Sequence, residues 1–166
     1  MYPVKLGFDE AIERINKLAS NGHHTESLVT SVFTVEKTLR RTLKLLIISC
    51  GFKSTIADKI INSLKGLDAM KNAWEYYDPN HMKLLDIINQ ADWKTIKDNA
   101  EKRNQLVHGI RVYGKTVCKE ETKKTIVSLK NIKKALENNY SYSGWTTIKI
   151  RKTSKLHIDS KVKTRS

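Results

Sequence analysis

The chain has 166 residues, enough for one domain and rarely enough for two. A hydrophobic content of 39% permits a sizeable core, and seven glycines with two prolines are too few for a loop-rich or many-turned all-β chain. Lys and Arg total 31 against 17 Asp and Glu, and a net charge of +14 makes a phosphate polyanion the commonest partner to offset the self-repulsion.

Phe8, Ile12, Ile15 and Leu18/Ala19 recur at helical spacing and predict a helix over residues 8–20, ended by Asn21-Gly22. Residues 24–50 predict the organising element, a rod of roughly 40 Å. Its stripe of Leu28, Val32, Val35, Leu39, Thr42 and Leu46 is widened by Val29, Phe33 and Leu43, and Gly51 closes it. A face buried along that length requires several helices around it, which means a bundle.

Ser54 or Thr55 is placed to cap a helix through Ile56, Ile60, Ile61 and Leu64, with Asp58 in its first turn. Beyond Gly66 a short helix carries Ala69, Ala73 and Trp74 and stops at Asp78-Pro79. Met82, Leu84, Leu85 and Ile88 suggest a further turn or two, and Asp92 is expected to cap a helix over 93–108. Residues 109–117 alternate like a loop or small hairpin, and a last long helix over 119–139 is expected to bury Ile126, Leu129, Ile132 and Leu136.

Residues 141–166 hold seven Lys and Arg against Asp159 alone, so this stretch supplies +6 of the charge. The expected organisation is an all-α bundle over 1–140, with about four or five main helices and shorter ones between, followed by a basic, partly flexible C-terminal extension over 141–166. Trp145 to Arg151 within the extension alternates weakly, like a short strand. The longest apolar run, Leu45-Leu46-Ile47-Ile48, is far short of a membrane span. The N-terminus turns acidic and amphipathic at once, unlike a signal peptide. A soluble, cytoplasmic chain without a membrane partner is the expectation. Cys50 and Cys118 have no partner spacing, and His23, His24, His81 and His157 form no ligand pattern, so neither metal nor cofactor is expected.

Chemistry concentrates in Arg103-Asn104-Gln105-Leu106-Val107-His108-Gly109. On a helix begun at Trp93, turning roughly 100° per residue, Trp93, Ile96, Ala100 and Val107 share an apolar arc. Arg103 and Asn104 flank that arc, and His108 follows Asn104 one turn later. A guanidinium, an amide and an imidazole are therefore expected to converge where the helix enters the bundle, and a charge buried there needs a partner. Residue by residue, plainer roles exist: His108 as a cation at a helix C-terminus, Arg103 as a snorkelling or paired side chain.

The Arg103–Gly109 string resembles the signature of the HEPN superfamily, an arginine, a polar residue, and a histidine a few positions on. It lies after a long helix and before the last helix of a bundle, where that family places it. Val35-Glu36-Lys37-Thr38-Leu39-Arg40-Arg41 is similar to the family's Glu-rich second helix. The resemblance covers roughly residues 5–140. It implies a HEPN-like fold and a metal-independent endoribonuclease, as a toxin or antiviral effector, acting on RNA through its own 2′-hydroxyl. His108 suits the proton transfers. Arg103 offers a donor fork to phosphate, Asn104 can hold a ring nitrogen or phosphate oxygen, and Glu36 is implied to orient Arg103. On residues alone, Glu36 and Arg40 read as an intrahelical ion pair. Lys102, Arg111, Lys115, Lys149, Arg151 and Lys152 are the expected RNA contacts.

Arg103 and His108 differ by about 140° in direction on a regular helix, awkward for gripping one phosphate from one chain. Two copies about a two-fold axis would bring both pairs around one cleft, so a homodimer is expected, with a cognate antitoxin as a further partner. Competing readings are a non-catalytic HEPN-like module binding RNA, a nucleotide or a protein, and a helical DNA-binding protein. No convincing helix-turn-helix pair supports the latter.

Overall fold

A computed structural model describes residues 7–146, and every regular element among them is a helix. In chain order these are α1 (Phe8–Ser20), α2 (His24–Ser49), α3 (Ser54–Ser63), α4 (Gly66–Tyr77), α5 (Leu84–Ile87), α6 (Gln90–Val107) and α7 (Lys115–Tyr140). No described helix is long and apolar enough to cross a membrane.

The long second helix is the axis of the fold. It packs most extensively on α7 and also touches α1, α3, α4 and α6. Leu28, Val32, Val35, Leu39, Leu43, Leu46 and Ile47 are buried along it, and Ile15, Trp74, Ile96, Leu129, Ile132 and Leu136 close on them from the surrounding helices. The same face carries small hydroxyls. Thr34, Thr38 and Thr42 are buried and donate to the carbonyls of Thr30, Thr34 and Thr38 at 2.7, 2.8 and 2.9 Å. Bonding back to their own helix satisfies these groups and lets neighbouring helices approach closely.

Several boundaries differ from those expected. Lys53, not Ser54 or Thr55, occupies the N-cap position of α3. The α6 cap is Asn89, whose Oδ1 accepts from the Ala91 amide at 2.7 Å; Asp92 sits in the first turn, where Asn131 Nδ2 of α7 donates to both its oxygens. No hairpin forms at 109–117, because α7 begins at Lys115 and buries Cys118 and Thr122 as the first members of its stripe. The alternating Val112 and Val117 that suggest a hairpin are exposed instead. Ile126 is half-buried, while Thr125 and Ser128 take the inward positions. Phe33, expected to widen the α2 stripe, is 48% exposed.

The first residues of the C-terminal extension are docked on the bundle. Ser143 is buried and its hydroxyl donates to Glu137 at 2.8 Å. Trp145 Nε1 donates to Thr38 Oγ1 at 2.9 Å, and its ring packs edge-on against Phe8 at 5.4 Å. Gly144 (φ 86°) crosses α2 so closely that a Cβ there would lie 2.7 Å from the Arg41 Cβ. Only glycine fits both the conformation and the space. The expected strand from Trp145 to Arg151 lies mostly outside the described residues.

Candidate functional site

The candidate site lies where α6 ends against the middle of α2. Arg103 enters the bundle: its Nη2 donates to Glu36 Oε1, its guanidinium lies over the Phe33 ring at 4.8 Å, and the two charged side chains are 15% and 18% exposed. An ion pair this enclosed holds a guanidinium in one orientation, since withdrawing either partner would strand a charge. Arg103 Nε is buried and has no hydrogen-bond partner, so its donor capacity is not exhausted by Glu36.

Asn104 and His108 face solvent. The amide and imidazole expected to meet the guanidinium where the helix enters the bundle are on the water-facing side of α6, and the apolar arc is narrower than expected. Ala100, Ile96 and Trp93 are buried, but Val107 is 57% exposed. Asn99 fills the inward position instead, its Nδ2 donating to Thr125 Oγ1 at 2.9 Å and to the Glu121 carbonyl at 3.3 Å. Asn99 carries a polar side chain in an otherwise apolar register, which is the signal that sequence reasoning passed over.

His108 is the C-cap of α6, and its backbone N–H donates to the Asn104 carbonyl at 3.0 Å. Gly109 follows with φ 65°, the left-handed turn that releases the chain from the helix. Gln105 then fixes the connection to α7. Its carbonyl accepts from the Ile110 and Arg111 amides at 2.8 and 3.3 Å, and its Oε1 accepts from the Tyr113 hydroxyl at 2.5 Å. Gln105 thus positions the loop that carries His108 at its start.

The expected RNA contacts divide. Lys102 is not free: its ammonium donates to Asn99 Oδ1 at 3.2 Å and Glu121 Oε2 at 3.5 Å, within the α6–α7 seam. Burial pushes the Glu121 carboxyl up, but Lys124 and Lys102 outweigh it and leave the pKa below the ordinary range. Arg111 lies over the Tyr113 ring at 5.0 Å and, like Lys115 at the start of α7, is exposed. Lys149, Arg151 and Lys152 lie outside the described residues. Arg40 does not pair with Glu36 as expected; its guanidinium donates to the Ile61 and Leu64 carbonyls at 3.1 and 3.2 Å and closes the C-terminal end of α3. That leaves Glu36 to Arg103.

Around His108 the surface is apolar and basic. Val107, Ile110 and Val112 are 57%, 74% and 86% exposed, and no acidic residue occurs between Lys102 and Lys119. Among the described residues no group of His, Cys, Asp or Glu is arranged to hold a metal ion. Tyr76 is exposed, whereas Tyr140 is committed to the core through Trp74 and Asp78. Comparison with protein-family models, with curated proteins and with solved structures finds no match to this chain.

Proposed function

We propose that the chain is a metal-independent endoribonuclease. Within that class we infer a HEPN-type enzyme acting as a homodimer, in the manner of a toxin or antiviral effector. The observation that carries the reading is the Glu36–Arg103 pair at the end of α6, with Asn104 following Arg103 directly and His108 one turn further on, both exposed. A merely structural arginine gains nothing from an exposed amide and imidazole beside it. An oriented guanidinium and a solvent-facing histidine at the same helix end supply the two groups that phosphate binding and proton transfer need. His108 removes the 2′-hydroxyl proton or protonates the departing 5′-oxygen, the Arg103 fork stabilises the charge that builds on the phosphate, and the product is a 2′,3′-cyclic phosphate.

The outward direction of His108 and inward direction of Arg103 support a site completed by a second copy. The exposed Val107, Ile110 and Val112 supply the apolar surface such an isologous contact needs. The test is cleavage of a single-stranded RNA in EDTA. Cyclic-phosphate ends, full protection by 2′-deoxy substitution at the cut, and a roughly 10²–10⁴-fold loss in His108→Ala are the expected results. A requirement for Mg²⁺, or cutting of DNA, would overturn the mechanism. The second reading, a non-catalytic RNA-binding module, is favoured by the half-burial of Arg103 alone, and RNA binding without any cleavage would establish it.

A further inference from the structure

One row of α2 carries Phe33, Lys37 and Arg41 at successive i,i+4 positions, roughly 12 Å from end to end at the helical rise. At one end Phe33 lies under Arg103 and is 48% exposed. At the other end Lys37 and Arg41 lie 5.6 and 5.4 Å from the centre of the Trp145 ring. Cation and aromatic therefore alternate along one path: Arg103, Phe33, Lys37, Trp145, Arg41.

Neither Lys37 nor Arg41 pairs with a carboxylate among the described residues, although nine Lys or Arg ion pairs are described elsewhere on the molecule. Arg41 spends one donor on the Gly144 carbonyl at 3.1 Å. Burial, and the neighbouring Arg41 charge, hold the Lys37 ammonium below the ordinary lysine range. Two like charges, part-desolvated and adjacent, raise the free energy of the unliganded protein unless an anion bridges them. The aromatic groups beside them suit a ligand with flat apolar faces as well as negative charge. A single nucleic-acid strand has both, and a duplex hides its base faces.

We propose that α2 carries the entry path for single-stranded RNA, with backbone phosphates at Lys37 and Arg41 and a base stacked on the exposed part of Phe33 on its way to Arg103. This deepens the nuclease reading by naming the form of substrate and its direction of approach. The docked Gly144–Trp145 segment forms one wall of the path and holds Arg41 in place.

The experiment measures binding of labelled oligouridylate, and of an RNA duplex of equal length, to the full chain carrying His108→Ala, so that cleavage does not enter. Phe33→Leu keeps the apolar bulk and removes the ring; it is expected to weaken single-strand binding about 5-fold or more, the loss of one stacked base. Lys37→Gln is expected to reduce the slope of log affinity against log salt by about 0.7, one phosphate on a single strand. Lys94→Gln, where Asp98 already neutralises the ammonium, should leave the slope nearly unchanged. Wild-type affinity and slope in both Phe33→Leu and Lys37→Gln would overturn the path, even for a chain that cuts RNA. Duplex bound as tightly, with equal losses in both variants, would overturn the single-strand assignment. Losses on the single strand in a protein whose wild type cuts nothing would uphold the path and overturn the nuclease.

Discussion

Arg103 and Glu36 form an enclosed pair whose energetic meaning depends on which partner is removed. Glu36→Gln keeps a hydrogen-bond acceptor but strands the Arg103 charge, so it should reduce cleavage and cost up to about 3–5 kcal/mol of stability, less whatever the retained hydrogen bond recovers. Arg103→Ala strands the Glu36 carboxylate and should cost about 3–5 kcal/mol. Arg103→Lys retains the charge without the planar fork and should not restore cleavage lost in Arg103→Ala. Rates and urea melts on the three variants separate the roles. If Arg103→Lys cleaves like wild type, a point charge suffices and the fork is not used.

Trp74, Asp78 and Tyr140 tie the end of α4 to the end of α7. Trp74 Nε1 donates to the Tyr140 oxygen at 3.0 Å, and the Tyr140 hydroxyl donates to Asp78 Oδ2 at 2.5 Å. Asp78 Oδ1 accepts the Asn80 and Met82 amides at 2.8 and 3.0 Å. Burial pushes the Asp78 carboxyl up, but the Tyr140 hydroxyl and those two amides outweigh it and hold the pKa below the ordinary aspartate range. Burial and the Asp78 carboxylate push the Tyr140 phenol up, which keeps it a donor. Tyr140→Phe should therefore cost about 2 kcal/mol at neutral pH, a hydrogen bond to a charged group. Because the folded Asp78 pKa is depressed, its contribution is present above the unfolded value of about 3.9 and fades as the pH falls through the lower folded value. The stability gap between wild type and Tyr140→Phe should shrink between pH 7 and strong acid. A gap of constant size in urea melts would show that the carboxylate is not the group Tyr140 serves.

As a whole, the molecule is a basic bundle with an unpartnered apolar tip at the α6–α7 connection, formed by Val107, Ile110 and Val112. If two copies meet there, sedimentation at micromolar concentration should show a dimer. Ile110→Asp, at a 74% exposed position, should then give a folded monomer that no longer cuts RNA. Mixed dimers of Arg103→Ala and His108→Ala chains should regain part of the activity that each parent lacks. A wild-type monomer with full activity would contradict the shared site.

Period and punctuation alone identify the helical class, the long second helix and the stop of α4 before Pro79, because helical spacing of Leu, Ile and Val and the backbone limits of proline act locally. The chemistry-bearing string at 103–109 is equally visible, since it needs only residue types in order. Sequence could not show which of those side chains turns inward. Arg103 does so because α2 offers Glu36 and Phe33 at that level, while Asn104 and His108 are exposed to water. Likewise Asn99 is buried because Thr125 and the Glu121 carbonyl lie opposite it, and Arg40 leaves Glu36 because two open carbonyls at the end of α3 come within reach. Trp145 reads as the start of a strand until the bundle supplies Thr38 and Phe8 to dock it. Local rules set where helices run; the destination of a polar or amphipathic side chain depends on partners distant in sequence, and those exist only once the helices have packed.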